Sequence, residues 1–155
     1  MACWLMKSEP EEFSIDDLVT AKNQTVPWWG VRNYLARNFM RDQMKEGDEV
    51  LFYHSSCPEP GIAGLAKVVS TAYPDETQWN KKSKYFDAKA TRENPRWMLV
   101  DVKLVKKTRL LPLAEMREQA PLATMTTLQR GNRLSITPVQ PAELKAVLKL
   151  LAVTF

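Results

Sequence analysis

The sequence predicts a single α+β domain, residues 1–155, built on a closed or nearly closed barrel of strands. Short apolar runs typical of buried strands recur along the chain, and the helical patterns between them are of modest length. Many turn residues separate these segments, and the regular alternation of strand and helix that a doubly wound sheet requires is absent. No internal repeat or linker divides the chain, so we expect one domain.

The first third of the chain predicts a strand, a capped helix and a second helix. Residues 3–6 form an apolar run typical of a buried strand, and Pro10 cannot continue a strand ladder. Ser14, followed by acidic residues, has the pattern of a helix N-cap. Residues 31–45 place apolar side chains at helical spacing, and Gly47 ends that segment.

The remainder of the chain predicts a hairpin, a long loop and a final helix. Residues 48–53 and 62–69 are typical of paired strands, and Gly64 inside the second indicates a bulge or a close approach. Residues 70–95 lack periodicity, as binding loops often do. The later elements are predicted as a strand over 97–105, short helices over 112–119 and 122–128, a short strand over 133–136 closed by Pro138, and a final helix starting at Pro141.

The composition excludes several classes of protein. With 45% hydrophobic and 26% charged residues, the chain is typical of a soluble globular domain. It contains no apolar run long enough to span a membrane, and its first residues lack a secretory signal, so we expect a cytoplasmic protein. Cys3 and Cys57 do not make a disulfide framework, and no Cys-x-x-Cys or paired histidines are present to hold zinc.

The balance of charge permits an anionic partner without requiring one. The net charge is +4, from 22 Lys and Arg against 18 Asp and Glu. Several aromatic residues lie at predicted turns, next to lysines and arginines, and such an arrangement suits stacking on a nucleobase while cations hold phosphates. The aromatic residues concerned are Trp28, Trp29, Trp79 and Tyr85, and the loop that follows Trp79 contains Lys81, Lys82 and Lys84.

The chain has few residues suited to catalysis. His54 is its only histidine, so any Ser-His or Cys-His scheme must use it. Neighbouring side chains in a turn rarely face one another, and a histidine that hydrogen-bonds the backbone or a ligand is the more frequent case. The five glycines do not cluster into a phosphate-binding loop. We therefore expect no metal, no cofactor and no enzymatic activity.

The segment around the paired tryptophans is the strongest candidate for a binding site. Gly30 gives the turn the backbone freedom that a close approach requires. Arg32 and Asn33 fall on the apolar side of the following helical wheel, where a charge and an amide need partners. The first helical turn can face a cleft, so Trp28, Arg32 and Asn33 are candidates for its wall. The alternative, a core tryptophan and a buried ion pair, fits the wheel equally well.

Residues Trp28-Trp29-Gly30-Val31-Arg32-Asn33-Tyr34 resemble the Trp-x-Gly-Val-Arg-Asn-Tyr signature of the EVE domain family. The resemblance covers nearly the whole chain in order, through the blocks 7–10, 36–39, 52–55, 60–64, 73–75, 94–97 and 133–135. It implies a PUA-like fold, a mixed pseudo-barrel of about five to six strands surrounded by helices. This fold is related to that of the YTH domains, which read methylated adenine in RNA.

The resemblance also implies a non-catalytic module that recognises a modified nucleobase, chiefly modified cytosine in DNA. Trp28 occupies the tryptophan of the signature and is therefore expected to stack on a flipped base, as extrahelical recognition requires. Trp29 stands where other members often carry a small or acidic residue, which leaves open whether it forms a second wall. An RNA reader, a small-ligand sensor and a nucleotide-processing enzyme remain as alternatives.

The predicted site divides into residues that contact the base and residues that support them. Arg32 could pair with a phosphate or with a carboxylate of the barrel. The expected base contacts are Trp28, Asn33, Ser8, Lys7, Tyr53 and His54. The expected supporting or phosphate-binding residues are Arg32, Trp79, Lys81, Lys82, Arg133 and Ser135.

Overall fold

The computed structural model describes residues 1–155 and contains a six-stranded mixed sheet. In spatial order its strands are β2 (Thr25–Pro27), β7 (Asp101–Pro112), β4 (Gly61–Val68), β3 (Glu49–His54), β1 (Cys3–Ser8) and β8 (Ile136–Val139). β1 and β3 are parallel, and the other neighbouring strands are antiparallel. A separate two-stranded pair is formed by β5 (Tyr73–Pro74) and β6 (Met98–Leu99).

Four short helices surround the sheet. They are α1 (Ile15–Thr20), α2 (Tyr34–Asn38), α3 (Leu113–Arg117) and α4 (Pro141–Leu151). α2 continues directly into a π-helical turn, Phe39–Gln43, and the chain also contains several single 3₁₀ turns. No helix has both the length and the apolar character needed to cross a membrane.

Both faces of the sheet are buried, which explains why its central strands are apolar throughout. In β1, Trp4 and Met6 face one hydrophobic core, while Cys3 and Leu5 face the other. The first core lies against α1 and α2, and the second contains residues of α3 and α4. A strand covered on both faces has no need of alternating polar residues. The predicted pseudo-barrel of five to six strands surrounded by helices is confirmed.

Several local predictions are confirmed by backbone geometry. Ser14 is the N-cap of α1, where its hydroxyl accepts from the Asp17 amide and the Asp17 carboxylate accepts from the Ser14 amide. The pairing of β3 with β4 slips one residue next to Gly64, as expected for a bulge. The final helix begins at Pro141.

The helix predicted over 31–45 is wrong in its start and in its regularity. α2 begins only at Tyr34, because Asn33 is its N-cap and accepts a hydrogen bond from the Ala36 amide at 3.1 Å. Asn33 itself has extended backbone angles, and residues 28–33 belong to no helix or strand. Leu35, placed on the apolar face by periodicity, is 48% exposed. The prediction of one regular helix failed because α2 has only five residues and is followed by a π turn. This turn rotates the buried face of the segment away from the 3.6-residue spacing.

Three other predicted boundaries differ from the structure. β7 runs to Pro112, well past the predicted end at residue 105, because it pairs with β4 along that length. Residues 122–128 contain parts of two 3₁₀ turns where a helix was predicted. Pro138 lies inside β8 and does not close it, which an edge strand tolerates.

The close packing of β4 against β7 predicts a large effect for Gly61→Ala. A Cβ atom at Gly61 would overlap the carbonyl oxygen of Leu111, and neither backbone can move without breaking the ladder. We expect a loss of about 3 kcal/mol in the free energy of unfolding, measured in urea.

Gly131→Ala is the matched control for that substitution. Gly131 also changes from glycine to alanine, but no atom lies within 4 Å of the added Cβ, so only its positive φ is penalised. A loss of about 1 kcal/mol is expected there. Equal losses in the two variants would contradict the role of the β4–β7 contact.

Candidate functional site

A cleft of about 750 Å³ lies between the tryptophan turn and the ends of β1 and β3. One side, which we call the aromatic wall, consists of Phe13, Trp28, Trp29 and Tyr85. A second part of the lining, which we call the strand-end wall, consists of Lys7, Ser8, Ser55, Ser56, Arg133 and Ser135. Glu9, Glu12, Val26, Gly30, Val31, Arg32 and Lys84 complete the lining.

Trp28 belongs to the core and to the cleft at the same time. It is 6% exposed, its ring packs edge-on against Phe52 at 5.3 Å, and its amide donates to the Val100 carbonyl at 2.9 Å. Trp29 is less buried and packs at 83° against Phe13. The core therefore fixes the orientation of Trp28, which is also one of the residues that line the cleft.

Gly30 allows Tyr85 to complete the aromatic wall. The φ of Gly30 is +84°, and a Cβ at this position would lie 2.7 Å from Cζ of the Tyr85 ring. Only glycine satisfies both conditions. The predicted need for a close approach at Gly30 is confirmed, and the group that approaches is a side chain 55 positions further along the sequence.

Glu12 joins three members of the cleft through its carboxylate. It accepts hydrogen bonds from the Tyr85 hydroxyl at 2.7 Å, from Lys84 Nζ at 3.1 Å and from Trp29 Nε1 at 3.2 Å. Burial alone would raise the pKa of Glu12, but these hydrogen bonds and the charge of Lys84 outweigh it and hold the pKa below its ordinary value. The aromatic wall is therefore braced by an ionised carboxylate.

The sequence left open whether Arg32 pairs with a phosphate or with a carboxylate, and the structure shows a carboxylate partner. Its guanidinium donates to Asp75 Oδ2 at 3.2 Å, to the Val31 carbonyl, to Thr77 Oγ1 and twice to the Tyr85 carbonyl. These five bonds use every N–H that a guanidinium has. Arg32 is therefore a structural partner of a carboxylate, with no donor left for a phosphate.

Asp75 holds the tryptophan turn to the following loop. It is 1% exposed, and its Oδ2 also accepts from the Gly30 amide at 2.8 Å. Its Oδ1 accepts from the amide and the hydroxyl of Thr77. A few residues further on, the buried amide of Gln78 donates to the carbonyls of Asp75 and Trp97 and accepts from the amides of Arg96 and Trp97. The predicted binding loop, 70–95, is thus anchored at both ends.

The strand-end wall is built by three neighbouring strands. β1 lies between β3 and β8, so Lys7 and Ser8 are flanked by Ser55 on one side and Ser135 on the other. The Lys7 amide donates to the Ser135 carbonyl at 2.8 Å, and the Ser55 amide donates to the Ser8 carbonyl at 3.0 Å. The Ser8 hydroxyl donates to the Phe13 carbonyl at 2.6 Å.

Several predicted site residues do not line this cleft. Asn33 caps α2 and is exposed. Tyr53 is 4% exposed in the second core, where the ammonium of Lys7 lies 5.7 Å from its ring centroid. His54 Nε2 accepts from the Ile15 amide at 3.1 Å, and burial lowers the pKa of His54, so the imidazole is a neutral support for the start of α1.

The remaining predicted residues of the long loop also lie away from the cleft. Trp79 packs under the guanidinium of Arg92, 4.6 Å from the ring centroid, and Lys81 and Lys82 are exposed. The structure places six predicted residues in the cleft, which are Lys7, Ser8, Trp28, Arg32, Arg133 and Ser135, and Trp29 joins them.

Sequence reasoning did not assign Glu12 or Asp75 to the site, and it named Tyr85 only as a loop aromatic suited to stacking, without a place in the predicted site. Glu12 belongs to an acidic stretch that is typical of a solvated surface. Tyr85 reaches the cleft through its tertiary contact with Gly30, and Asp75, which does not line the cleft, supports it through its tertiary contact with Arg32. The signal that could have found Asp75 was Arg32 itself, since a guanidinium on an apolar face requires a carboxylate partner.

The mixed sheet, the helices on both its faces and the cleft at its strand ends define a PUA-like α+β domain. The model of the EVE domain family matches residues 2–150. The chain therefore belongs to the EVE domain family.

Relatives of known structure and sequence share this fold. Thymocyte nuclear protein 1 of Homo sapiens is 47% identical, over 95% of this chain and 72% of the human protein. A crystal structure of human THYN1 protein in complex with 5-methylcytosine containing DNA has a TM-score of 0.93 and 46% identity, with all of both chains covered. Protein PSPTO5229 from Pseudomonas syringae has a TM-score of 0.91 and 51% identity, over 96% of this chain and 99% of that one.

The pairing of Arg32 with Asp75 predicts that Asp75→Asn destabilises the domain. The amide keeps the size of the side chain but removes the charge that compensates a mostly buried guanidinium and one acceptor for the Gly30 amide. We expect a loss of about 3 kcal/mol in urea unfolding. Asp42→Asn, which removes an exposed carboxylate paired only with its neighbour Arg41, is the control and should change stability little.

The low pKa of Glu12 predicts a pH dependence of stability. A carboxylate whose pKa is lower in the folded state than in the unfolded state stabilises the fold above the unfolded value, near 4.5, and this contribution is lost as pH falls through the folded pKa. Unfolding free energies of wild type and Glu12→Gln, measured from neutral to acid pH, should therefore differ most above that value and converge below it. A difference that is constant with pH would contradict the ionised brace.

Proposed function

We propose that this chain is a non-catalytic DNA-binding module that recognises modified cytosine by receiving the extruded base in the cleft. The observation that carries the proposal is an aromatic wall, fixed to the core through Trp28, inside a cleft of about 750 Å³. The relative solved with 5-methylcytosine containing DNA has the same fold at 46% identity, which supports this ligand class over a small-ligand sensor.

A flipped base needs an aromatic surface that is already in position before it arrives. Base–aromatic stacking contributes about 1–3 kcal/mol per base, and ordering a mobile ring during binding would cost part of that. Trp28 is immobilised by Phe52, and Tyr85 is held against Gly30 and hydrogen-bonded to Glu12. Stacking on Trp28 and enclosure by Trp29 and Tyr85 are the roles that we assign to this wall.

Affinity for the DNA backbone comes from cations around the cleft. Lys84 lines the cleft, and Lys81 and Lys82 are exposed outside it on the same loop, where we assign them to phosphates further along the DNA. Contacts of this kind make binding weaken steeply as salt is added. Asn33 then supports α2, Tyr53 supports Lys7 and His54 supports α1. Ser8 is the residue of this group that we assign to the edge of the base.

An enzymatic role for the same cleft has less support. His54 would be the general base, but its Nε2 already accepts a backbone hydrogen bond and it does not line the cleft. Glu12 is held in its ionised form by three neighbouring donors, which disfavours proton transfer. The cytoplasmic location expected from the sequence stays a prediction.

Trp28→Phe tests the stacking role without opening a large cavity. We expect wild type to bind duplexes with methylated or oxidised cytosine more tightly than plain duplexes, and Trp28→Phe to lose about tenfold in affinity for the modified duplex. The measurement is fluorescence anisotropy with labelled oligonucleotides of plain, methylated and oxidised cytosine, with methylated adenine, and with the corresponding RNA.

Trp4→Phe is the matched control, since Trp4 is 3% exposed in the same core but does not line the cleft. It should keep the affinity of wild type. Preference for methylated RNA over DNA would favour the RNA alternative. Equal binding of plain and modified DNA would overturn the proposal.

A further inference from the structure

We propose that the strand-end wall is a phosphate subsite, which holds a backbone phosphate of the same nucleotide whose base lies against the aromatic wall. This inference rests on the function proposed above and deepens it, because it assigns the two sides of the cleft to two parts of one ligand. Lys7, expected from the sequence to contact the base, is reassigned here to the phosphate together with Arg133.

Ser8 donates its hydroxyl to the Phe13 carbonyl and is assigned above to the base edge. The other groups on the strand-end wall differ from those on the aromatic wall in having no hydrogen-bond or ion-pair partners. The hydroxyls of Ser55, Ser56 and Ser135 make no hydrogen bond to protein, and neither Lys7 nor Arg133 forms an ion pair. On the other side, Arg32 and Lys84 are each paired with a carboxylate. The free donors of the cleft are therefore concentrated where β1, β3 and β8 meet.

The chemistry of these free donors suits an acceptor-only ligand. Ammonium and guanidinium groups donate and never accept, and a hydroxyl can donate as well. A nucleobase edge mixes donors and acceptors, whereas a phosphate presents only acceptors and a negative charge. Glu9 also lines the cleft, but it is exposed and opposed by two cations. The wall therefore matches a phosphate better than a base edge.

Two further observations agree with an anion at this position. Lys7 is half-buried, and burial lowers its pKa in the free protein, a penalty that an adjacent phosphate would offset. Ser56 has a φ of +53°, a strained conformation for a residue with a side chain, and such strain is concentrated at functional sites. The volume of about 750 Å³ lies in the range of sites that enclose whole small ligands, so it leaves room for sugar and phosphate beside the base.

The test combines a protein variant with a neutral phosphate. Duplexes containing one 5-methylcytosine are prepared with a single uncharged methylphosphonate linkage either 5′ or 3′ of that nucleotide, or far from it. Each duplex is titrated into wild type, Lys7→Met, Arg133→Gln and the control Lys22→Met, which removes an exposed lysine that does not line the cleft. Thermal unfolding of each variant verifies that it is folded.

We expect one of the two adjacent neutral linkages to weaken wild type and Lys22→Met about tenfold, and to weaken Lys7→Met or Arg133→Gln less than about twofold. The distant linkage should affect all four proteins equally and slightly. Should Lys7→Met not fold, Arg133→Gln decides, because Arg133 is exposed and its loss leaves the core intact.

Two results would overturn the inference while leaving the proposed function in place. One is a wild type that prefers methylated DNA but is indifferent to both adjacent linkages. The other is an equal loss in wild type and in both variants. A wild type that does not distinguish methylated from plain duplex would instead overturn the proposed function, and the phosphate subsite with it.

Discussion

The ion pair between Arg32 and Asp75 is the interaction on which the cleft depends. A guanidinium with five N–H groups and a carboxylate that is 1% exposed together join the tryptophan turn, the 3₁₀ turn after Asp75 and the backbone of Tyr85. Two ions removed from water are stable only when every donor and acceptor is satisfied. The pair therefore fixes one geometry of the turn, and with it the positions of Trp28 and Tyr85.

The sheet supplies the rigid half of the same site. Because both its faces are buried, the ends of β1, β3 and β8 cannot shift without disturbing one of two cores. The aromatic wall depends on contacts between distant loops, while the strand-end wall depends on backbone pairing. A ligand between them meets two preformed surfaces, so little ordering is required on binding.

The sequence predicted those features that depend on neighbours along the chain. The N-cap at Ser14, the strands 48–53 and 62–69 and the start of α4 follow from local patterns, and the structure has them. The pairing of Arg32 with Asp75 joins residues 43 positions apart, and periodicity contains no information about it. The same limit explains the wrong placement of Asn33. The helical wheel assumed a helix from residue 31, whereas α2 begins at Tyr34 and Asn33 is its N-cap.

Gln78 has a consequence for how this domain can diverge. Its side-chain amide makes four hydrogen bonds that hold the two ends of the loop together, so the exposed lysines between it and Arg96 that have no ion-pair partner, Lys81, Lys82 and Lys89, are not needed to hold the loop. Substitutions at Lys81, Lys82 or Lys89 therefore change the free energy of unfolding little. The charge of this one segment can therefore change while the sheet and its two cores stay as they are.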